Sequence, residues 1–308
     1  MSVLVVGSMA YDAVETPFAE IARALGGSAM FFSAAASYFS PVNLVAVVGN
    51  DFDHNDIDFL RERQVDLLGL TTVKGETFRW SGKYADNMID RQTIYTKLGV
   101  FENFDPVLPE RYTSSEYVFL ANIQPDLQYN VVQQVKNPRF IAMDTMNFWI
   151  TGTLDELKKT LSVVDALIIN DSEVRLLSRE ANLFIGAKTI QAMGPKTLIV
   201  KKGEHGSILV HEDSYFMCPA LPVEQVHDPT GAGDTFAGGF MGYLAMAEAV
   251  NEAVLRRAVV MGTVMASFCV ESFSAQRLKT LTPDEIKART AQLLTAMRLE
   301  SDGIWIQP

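Results

Sequence analysis

The segment DPTGAGDTFAGGF at residues 228–240 is the most informative stretch of this chain. Gly231, Ala232 and Gly233 carry almost no side chain, and an apolar run that we predict to be the helix Gly233–Ala247 begins at once. The first N–H groups of a helix have no partner within the helix, and the helix dipole favours negative charge at that end. The segment therefore predicts an anion-binding turn that needs no basic residue.

Two carboxylates flank this turn. Asp228 opens the segment and Asp234 stands at the start of the predicted helix. An acidic residue at that place commonly caps its own helix, and this is the plain structural interpretation. Beside a bound phosphate, however, Asp234 is placed to accept a proton from an attacking hydroxyl group, which is the role of the base in phosphoryl transfer.

Composition limits the classes of partner. The chain has 308 residues, 48% hydrophobic residues and a net charge of −11, which is ordinary for a globular protein. The negative charge argues against nucleic acid or an anionic membrane as a partner, because both require a basic surface. Cys218 and Cys269 are far apart, and the four histidines form no cluster, so we expect reduced thiols in a cytoplasmic protein and no zinc site.

The stretch from Ala24 to Asn50 has no charged residue and is long enough to raise the question of a membrane span. Glycine, serine, proline and asparagine interrupt it, so we predict a helix at Ser28–Phe39 that Pro41 ends, followed by a buried strand at Asn43–Val48. The N-terminus has no basic residue before its short apolar run, so we expect no signal peptide.

Short apolar runs alternate with helical segments over much of the chain. The predicted strands are Val3–Val6, Leu44–Val48, Tyr117–Leu120, Phe140–Met143, Ala166–Ile169 and Leu198–Val200. The predicted helices include Asp126–Val135, Leu154–Leu161 and Asp171–Ala181, and later Glu252–Cys269 and Pro283–Met297, the last capped by Thr282. This order predicts an α/β fold with a central, mainly parallel sheet and helices on both faces. Ligands bind at the carboxyl ends of the strands in such sheets.

The stretch Thr71–Val100 departs from this alternation. Its aromatic and β-branched residues suggest antiparallel strands joined by a turn near Asp86–Asp90. Such a hairpin is either a lid over the ligand site or an ordinary sheet edge, and the segment alone favours neither. We predict one domain spanning residues 1–308, with a small antiparallel β lid formed by roughly residues 11–18 and 71–100.

The segment at residues 228–240 resembles the C-terminal signature of the ribokinase/PfkB family of carbohydrate kinases. It is not a Walker A loop, because no Gly-Lys-Ser/Thr follows. The resemblance covers nearly the whole chain, since three shorter family motifs occur in the family's order. They are Gly26-Gly27, the N-x-x-E motif from Asn170 to Glu173, and the G-x-x-G turn from Gly203 to Gly206. The resemblance implies a ribokinase-like fold and ATP as the phosphate donor.

The resemblance also implies roles for residues at the transferring phosphate. Asp234 would be the catalytic base, and the amides of Gly231, Ala232, Gly233 and Asp234 would form the anion hole. Asn170 and Glu173 would organise Mg²⁺ and its water ligands near the phosphates. Without the glycine-rich segment, Asn170 and Glu173 would indicate only a helix start.

Further positions follow from the same resemblance. Lys202, Gly203 and Gly206 would line the ATP end of the site. Asp228 and Thr230 would bind an activating monovalent cation such as K⁺. Substrate-binding positions would be Asp12, which holds substrate hydroxyl groups in the family, together with Gly26, Gly27 and Phe31.

Phe31 departs from the family pattern. Sugar and nucleoside kinases of the family usually have asparagine at this position, and phenylalanine cannot form its hydrogen bonds. The D-P-N-x-R pattern of fructokinase-like members is also absent, since the nearest segment is DTMNFW at residues 144–149. Aromatic residues suit a nucleobase or the C–H face of a ring polyol, although Phe31 is equally interpretable as part of the core. The double-glycine segment also resembles that of inositol kinases.

We therefore predict an ATP-dependent kinase that phosphorylates a hydroxyl group of a small polyol, with a sugar as the first expectation. A nucleoside or inositol kinase is the alternative within the enzyme class. A ligand-binding regulator that lost the reaction is the alternative outside it. A dinucleotide oxidoreductase is excluded by the lack of G-x-G-x-x-G after the first strand. Relatives commonly dimerise through the lid, so a homodimer with Trp80 and Tyr84 in the contact is a further expectation.

Overall fold

Two sheets organise residues 1–298, the part of the chain that the structure, a computed structural model, describes. The strands are β1 Val3–Val6, β2 Ala10–Glu15, β3 Glu20–Gly26, β4 Val42–Gly49, β5 Val65–Val73, β6 Phe78–Tyr84, β7 Arg91–Lys97, β8 Tyr117–Leu120, β9 Phe140–Asp144, β10 Ala166–Asn170, β11 Thr197–Lys201, β12 Ser207–His211 and β13 Ser214–Cys218. The helices are α1 Ser28–Ala36, α2 Asp58–Glu62, α3 Pro125–Gln134, α4 Asn147–Gly152, α5 Leu154–Leu161, α6 Asp171–Ser178, α7 Leu183–Gln191, α8 Ala232–Ala247, α9 Glu252–Cys269, α10 Gln276–Thr280 and α11 Pro283–Ala296.

The central sheet has nine strands in the order β13-β12-β11-β10-β9-β8-β1-β4-β5. Seven of them, from β11 to β5, run parallel, whereas β12 and β13 continue the sheet antiparallel at one edge. The inner parallel strands are mainly apolar because both of their faces are covered, whereas β5 at the edge is partly exposed and contains Asp66, Thr71 and Thr72. The predicted mainly parallel sheet is therefore confirmed.

Helices cover both faces of the central sheet, and side-chain alternation along each strand divides the core in two. Val3 and Val5 of β1 point to the face that packs against α1, α8 and α9. Leu4 and Val6 of the same strand point to the opposite face, which is covered by α3, α5, α6 and α7. Residues two positions apart in a strand therefore face the same side of the sheet, and this also applies to the polar residues at the strand ends.

The second sheet has four strands in the order β3-β2-β6-β7, and we call it the lid sheet. The pair β6–β7 is antiparallel, as predicted for this stretch. The pair β2–β3 is antiparallel as well, but β3 was not predicted, and the two hairpins join through a parallel pairing of β2 with β6. The lid sheet also extends to Gly26 at the end of β3. Residues 71–73, which the predicted lid included, belong to β5 of the central sheet instead.

Most element boundaries lie within a few residues of the predicted ones. β1, β8, α5 and α9 have the predicted bounds, while α1 ends at Ala36, three residues before the predicted Phe39. Thr282 caps α11 as predicted, since its side chain accepts from Glu285 N and the Glu285 side chain accepts from Thr282 N. Within residues 1–298, no helix is both long enough and apolar enough to span a membrane. The predicted domain continues to residue 308, and residues 299–308 lie outside the described part.

Candidate active site

The glycine turn before α8 depends on a left-handed backbone. Gly231 is the N-cap residue of α8 with φ +77°, and no side chain caps this helix. A Cβ atom at Gly231 would lie 2.4 Å from the ring of Phe31, which is itself buried in α1. Both the backbone angle and the lack of space therefore require glycine here. Phe31, which was expected to contact substrate, packs beneath this turn.

Two amides at the start of α8, those of Gly233 and Asp234, have no partner in another residue of the described chain, although the Asp234 N–H interacts with its own carboxylate. Ala232 N donates to Pro229 O at 3.2 Å and Thr235 N donates to Gly231 O at 2.8 Å. Between them, Gly233 N and Asp234 N donate no hydrogen bond to another residue of the described chain. Residues 231–234 are only half-buried, so an anion can reach these amides. Accessible amides at a helix start can bind an anion, and the anion-binding role of this turn stays a prediction.

Asp234 lies in the first turn of α8, beside the unpaired amides. Burial raises the pKa of its carboxyl group to about 6, and Lys201 and Arg91 oppose that rise. A carboxylate with a pKa just below neutrality is ionised at pH 7 and still basic enough to accept a proton from an alcohol in the transition state. The position and pKa of Asp234 both suit a general base.

Asp12 approaches the same place from β2 of the lid sheet. Its side chain is 7% exposed, and a Cβ atom at Gly26 would lie 2.0 Å from Asp12 Oδ2, so Gly26 leaves the space that this carboxylate occupies. Burial, together with the charges of Asp228 and Asp234, raises the pKa of Asp12 to about 7, and Arg91 opposes the rise. Three carboxylates therefore meet near the glycine turn, which explains why their proton affinities depend on one another.

Asp228 and Thr230 form a buried connection between the glycine turn and the lid. Asp228 is 1% exposed, and its Oδ1 accepts a hydrogen bond from Thr230 N at 2.9 Å. Thr230 Oγ1 lies 3.1 Å from the hydroxyl oxygen of Tyr84, a β6 residue that is 5% exposed. Tyr84 is therefore buried inside its own chain and has almost no surface left for a contact between two copies. A dimer through the lid remains a prediction that rests on other residues.

The N-x-x-E motif forms the start of α6. Asn170 Oδ1 accepts from Glu173 N, and Glu173 Oε2 accepts from Asn170 N, both at 2.9 Å, which is a complete capping box. Asn170 and Glu173 thus do form a capped helix start, which is the structural interpretation of the N-x-x-E motif. Asn170 also ends β10 at the carboxyl edge of the sheet, opposite Lys201 of β11. Burial raises the pKa of Glu173, and Lys201 is the main opposing charge.

The G-x-x-G turn follows β11. Lys202 N donates to Gly206 O at 2.8 Å, and a short 3₁₀ turn spans Gly203–His205. Gly206 packs against the chain at Cys218, so no side chain fits there. A cavity of about 450 Å³ lies beyond, lined in part by Pro222, Gln225 and Glu271. His227, the residue before Asp228, also lines the cavity, whereas Lys202, Gly203 and Gly206, which were expected at the ATP end, are not among its lining residues.

Three charged residues of this site were not singled out from the sequence. Asp144 ends β9, Lys201 ends β11, and Arg91 begins β7 of the lid sheet. The alternation of side chains along a strand could have identified Asp144 and Lys201 from the sequence. Because Ala142 and Ile199 pack on the α8 face of the sheet, Asp144 and Lys201, two residues further along, point to that face as well. Arg91 could not be found in this way, because its approach depends on how the lid folds over the sheet.

Comparisons with known proteins identify relatives of this chain. A cytidine kinase of Thermococcus kodakarensis is 26% identical over 262 residues, covering 82% of this chain and 92% of that protein. An inositol 3-kinase of Arabidopsis thaliana is 24% identical over 308 residues, covering 94% of this chain and 81% of that protein. The solved structure of a nucleoside kinase of Methanocaldococcus jannaschii, described as an archaeal member of the ribokinase family, covers 94% of this chain and 98% of its own, with a TM-score of 0.76 and 20% identity. It shares the ribokinase-like fold.

The family assignment rests on a match that spans most of the chain. The family model described as pfkB family carbohydrate kinase matches residues 2–281, which includes all the strands and the complete glycine segment. The chain therefore belongs to the pfkB family of carbohydrate kinases and is a kinase of that family.

Proposed function

We propose that this kinase transfers the γ-phosphoryl group of ATP to a hydroxyl group of a nucleoside. The observation that carries the proposal is the start of α8, where the unpaired amides of Gly233 and Asp234 adjoin the Asp234 carboxylate. An anion hole and a base in adjacent positions are what transfer of a phosphoryl group to an alcohol requires.

The proposed reaction uses these groups in one step. The amides of Gly233 and Asp234 donate to the non-bridging oxygens of the γ-phosphoryl group and hold it in line with the acceptor hydroxyl group. Asp12 accepts a hydrogen bond from a substrate hydroxyl and orients the acceptor. As the new P–O bond forms, Asp234 accepts the hydroxyl proton, and the bond to the β-phosphate breaks with its electron pair leaving on ADP.

The site suits Mg²⁺ only when phosphate oxygens complete its coordination, because the described residues supply too few ligands of their own. Within residues 1–298 no three His, Cys, Asp or Glu side chains are grouped as a metal site. Glu173 supplies one carboxylate, and its Oε2 is engaged by Asn170 N. Mg²⁺ is commonly held by one or two carboxylates together with phosphates and water, so Glu173 is the residue that would hold it here. Bound Mg²⁺ would neutralise charge on the β- and γ-phosphates.

The surroundings of Asp228 suit a bound monovalent cation, because the described part of the protein itself supplies no counter-ion for this carboxylate. Asp228 is 1% exposed, burial raises its pKa, and no arginine or lysine of the described chain forms a salt bridge with it. A buried carboxylate without a counter-ion is costly, and K⁺ beside Asp228 and Thr230 would stabilise the ionised form. The cation would also steady the glycine turn, because Thr230 immediately precedes Gly231.

The nucleotide base of ATP fits the cavity next to His227. Its volume of about 450 Å³ is within the range of small-molecule sites. His227 lines this cavity and is followed by Asp228, so we place the base here and the phosphates at the start of α8 as part of the proposal.

The lid sheet supports a nucleoside in preference to a simple sugar. Asp12 pairs with Trp80 in the β2–β6 register, and Tyr84 pairs with Arg91 in the β6–β7 register, so all four side chains lie on one face of the lid sheet. Tyr84 on this face contacts Thr230, so the face looks toward the glycine turn. The Trp80 indole lies over Gly82, with the Arg91 guanidinium carbon 5.0 Å from its ring centroid, and an aromatic surface on this face of the lid sheet suits stacking of a nucleobase. The relatives from Thermococcus kodakarensis and Methanocaldococcus jannaschii are a cytidine kinase and a nucleoside kinase.

An inositol is the second candidate acceptor. The relative from Arabidopsis thaliana, an inositol 3-kinase, aligns with 94% of this chain. The C–H face of a cyclitol could pack on Trp80 as a nucleobase would, while Asp12 binds its hydroxyl groups. A panel of acceptors separates these candidates from a sugar.

The test is direct detection of the phosphorylated product. Purified protein is incubated with ATP, Mg²⁺, K⁺ and one acceptor at a time (cytidine, uridine, adenosine, inosine, myo-inositol or ribose), and products are separated by mass. The proposal predicts a nucleoside monophosphate with one equivalent of ADP, and its loss in Asp234→Asn. Product from ribose or myo-inositol alone would overturn the nucleoside assignment. Tight ligand binding without product from any acceptor would favour a regulator.

A further inference from the structure

Lys201 is the last residue of β11 and points toward the start of α8. Ile199, two residues earlier, packs in the core on the α8 face of the sheet, so the side chain of Lys201 emerges on the same face at the carboxyl edge. Lys202, the next residue, has the opposite parity and begins the turn to Gly203. Lys201 and Lys202 therefore point in different directions, and of the two only Lys201 is directed at the anion hole.

The Lys201 ammonium lies directly against the anion hole. A Cβ atom built on Gly233 would be 2.8 Å from Lys201 Nζ, and the next nearest atom would be Lys201 Cε at 3.8 Å. Gly233 N and Asp234 N are the two amides at the start of α8 that have no partner in another residue of the described chain. A group bound to these amides would therefore be within reach of the ammonium as well.

Three buried carboxyl groups surround the ammonium without pairing with it. Lys201 opposes the rise in pKa that burial causes at Asp144, Glu173 and Asp234, so it lies within electrostatic reach of all three. Even so, none of the salt bridges within 4.0 Å in the described chain involves Lys201. The field of the acids holds the ammonium in the site, while its N–H donors stay available to another anion.

Asp144 is the most deeply placed of these acids. It ends β9, is 6% exposed, and its Oδ1 has no hydrogen-bond partner in the described chain. A buried carboxyl oxygen without a partner is unusual in a folded protein, and burial raises the pKa of Asp144 well above its ordinary value, a rise that Lys201 opposes. Asp144 has the parity that directs it to the α8 face, two strands away from Lys201 with β10 between them.

We propose that Lys201 is a further catalytic residue, whose ammonium binds non-bridging oxygens of the phosphoryl group in transit above Gly233, and that Asp144 is a positioning residue that keeps the ammonium there. This inference rests on the proposed function. Lys201 neither gains nor loses a proton in the step: the hydroxyl proton goes to Asp234, and the electron pair of the broken P–O bond leaves on ADP. The ammonium adds a full positive charge where the α8 dipole supplies only partial charge.

Acidic groups outnumber cations at the site, and the contribution of Lys201 to phosphate binding is therefore important. Asp12, Asp144, Glu173 and Asp228 are buried in or beside the site and Asp234 is half-buried there, so a polyphosphate would meet several acidic groups. The charges that oppose them are those of Lys201 and of Arg91, and Arg91 is an exposed residue of the lid sheet. Lys201 is therefore the cation that the central sheet itself places at the reacting phosphate.

The experiment compares Lys201→Met, Lys201→Arg and the control Lys188→Met, which removes an exposed lysine of α7 that pairs with Asp213. Binding of MgADP, alone and with aluminium fluoride as a mimic of the transferring phosphoryl group, is measured by calorimetry for each protein. Turnover is measured with the best acceptor of the wild type. Thermal unfolding checks that each variant is folded.

We expect Lys201→Met to lower kcat by about 10²-fold, the usual effect of losing one donor to a transition-state oxyanion. Binding of MgADP with aluminium fluoride should weaken by a similar factor, with MgADP alone within about threefold of wild type, because only the mimic occupies the place of the γ-phosphoryl group. Lys201→Arg should recover part of the loss, and Lys188→Met should behave as wild type.

The positioning role of Asp144 is tested by a double-mutant cycle. Asp144→Asn should lower kcat by about tenfold in the wild type and have little effect in Lys201→Met, because its action passes through the ammonium. Equal effects of Asp144→Asn in both backgrounds would overturn that role.

Two results would overturn the role of Lys201: unchanged kcat in Lys201→Met, or equal weakening of MgADP with and without aluminium fluoride, which would indicate general attraction of anions. Failure of the proposed function appears differently, in the wild type itself. A wild type that makes no product with any acceptor contradicts the proposed function, and the binding comparison still decides the role of Lys201. A wild type that binds neither MgADP nor its complex with aluminium fluoride contradicts both.

Discussion

Asp12→Asn should make the protein more stable above neutral pH, although it removes a proposed substrate-binding group. The pKa of Asp12 is about 7 in the folded protein and 3.8 at its ordinary value, because the carboxylate is buried near Asp228 and Asp234. A difference of about 3 units between the folded and unfolded pKa values corresponds to at most about 4 kcal/mol of lost stability when Asp12 is fully ionised. Asparagine has the same shape and no charge, so it avoids this cost.

The sign of the pH dependence follows from proton binding. Between about pH 4 and pH 7 the folded state holds a proton on Asp12 that the unfolded state has released, so the free energy of unfolding of the wild type falls as pH rises. Asparagine does not titrate. The stability advantage of Asp12→Asn should therefore grow by about 2–3 kcal/mol between pH 5 and pH 8 and level off above pH 7.

Urea unfolding at pH 5, 6, 7 and 8 measures this difference, with Asp105→Asn as a control at an exposed carboxylate. The control should run parallel to the wild type at every pH. Parallel curves for Asp12→Asn and the wild type would show that Asp12 has no raised pKa in the folded protein, and the electrostatic description of the site would then be wrong.

Two further predictions concern the glycine turn and the base. Gly231→Ala should lower the free energy of unfolding by about 2–4 kcal/mol, because it combines a backbone with φ +77° and a Cβ atom that overlaps the Phe31 ring. Gly152→Ala, where an added Cβ meets nothing within 4 Å, is the control, and equal denaturant midpoints for the two variants would contradict the reasoning. The second prediction is that kcat/KM rises with pH through about 6 to 7, because Asp234 must lose its proton to act as base and the ionisation of Asp12 is linked to it. A pH–rate profile that is flat from pH 5 to pH 8 would exclude these two carboxyl groups from the rate-limiting chemistry.

Local patterns were sufficient to predict six of the nine strands of the central sheet and most helices of the described chain, whereas the edge strands β5, β12 and β13 were not predicted. Buried parallel strands such as Val3–Val6 are short, apolar and separated by helical segments, so their period and length identify them without tertiary information. The capping residue Thr282 was predictable for the same reason, since capping is decided within one turn of helix. The glycine segment likewise carries its own conformation.

The lid sheet and part of the site depend on contacts between distant parts of the chain. The parallel pairing of β2 with β6 and the contact of Tyr84 with Thr230 join segments that no local pattern relates. Phe31 illustrates the same limit, because only the folded chain shows that it lies beneath Gly231. Asp144 and Lys201 were within reach of the sequence, because strand parity directs both to the α8 face, but each stood alone in its segment.

The central claim is that the start of α8 holds the transferring phosphate while Asp234 deprotonates the acceptor. A single-turnover measurement on Asp234→Asn, with ATP in the active site and the best acceptor of the wild type, tests it most directly. Phosphoryl transfer should slow by about 10²–10⁴-fold, and ATP should still bind within about threefold of wild type, because the amides of Gly233 and residue 234 remain. Transfer at a near-normal rate in Asp234→Asn would contradict the claim.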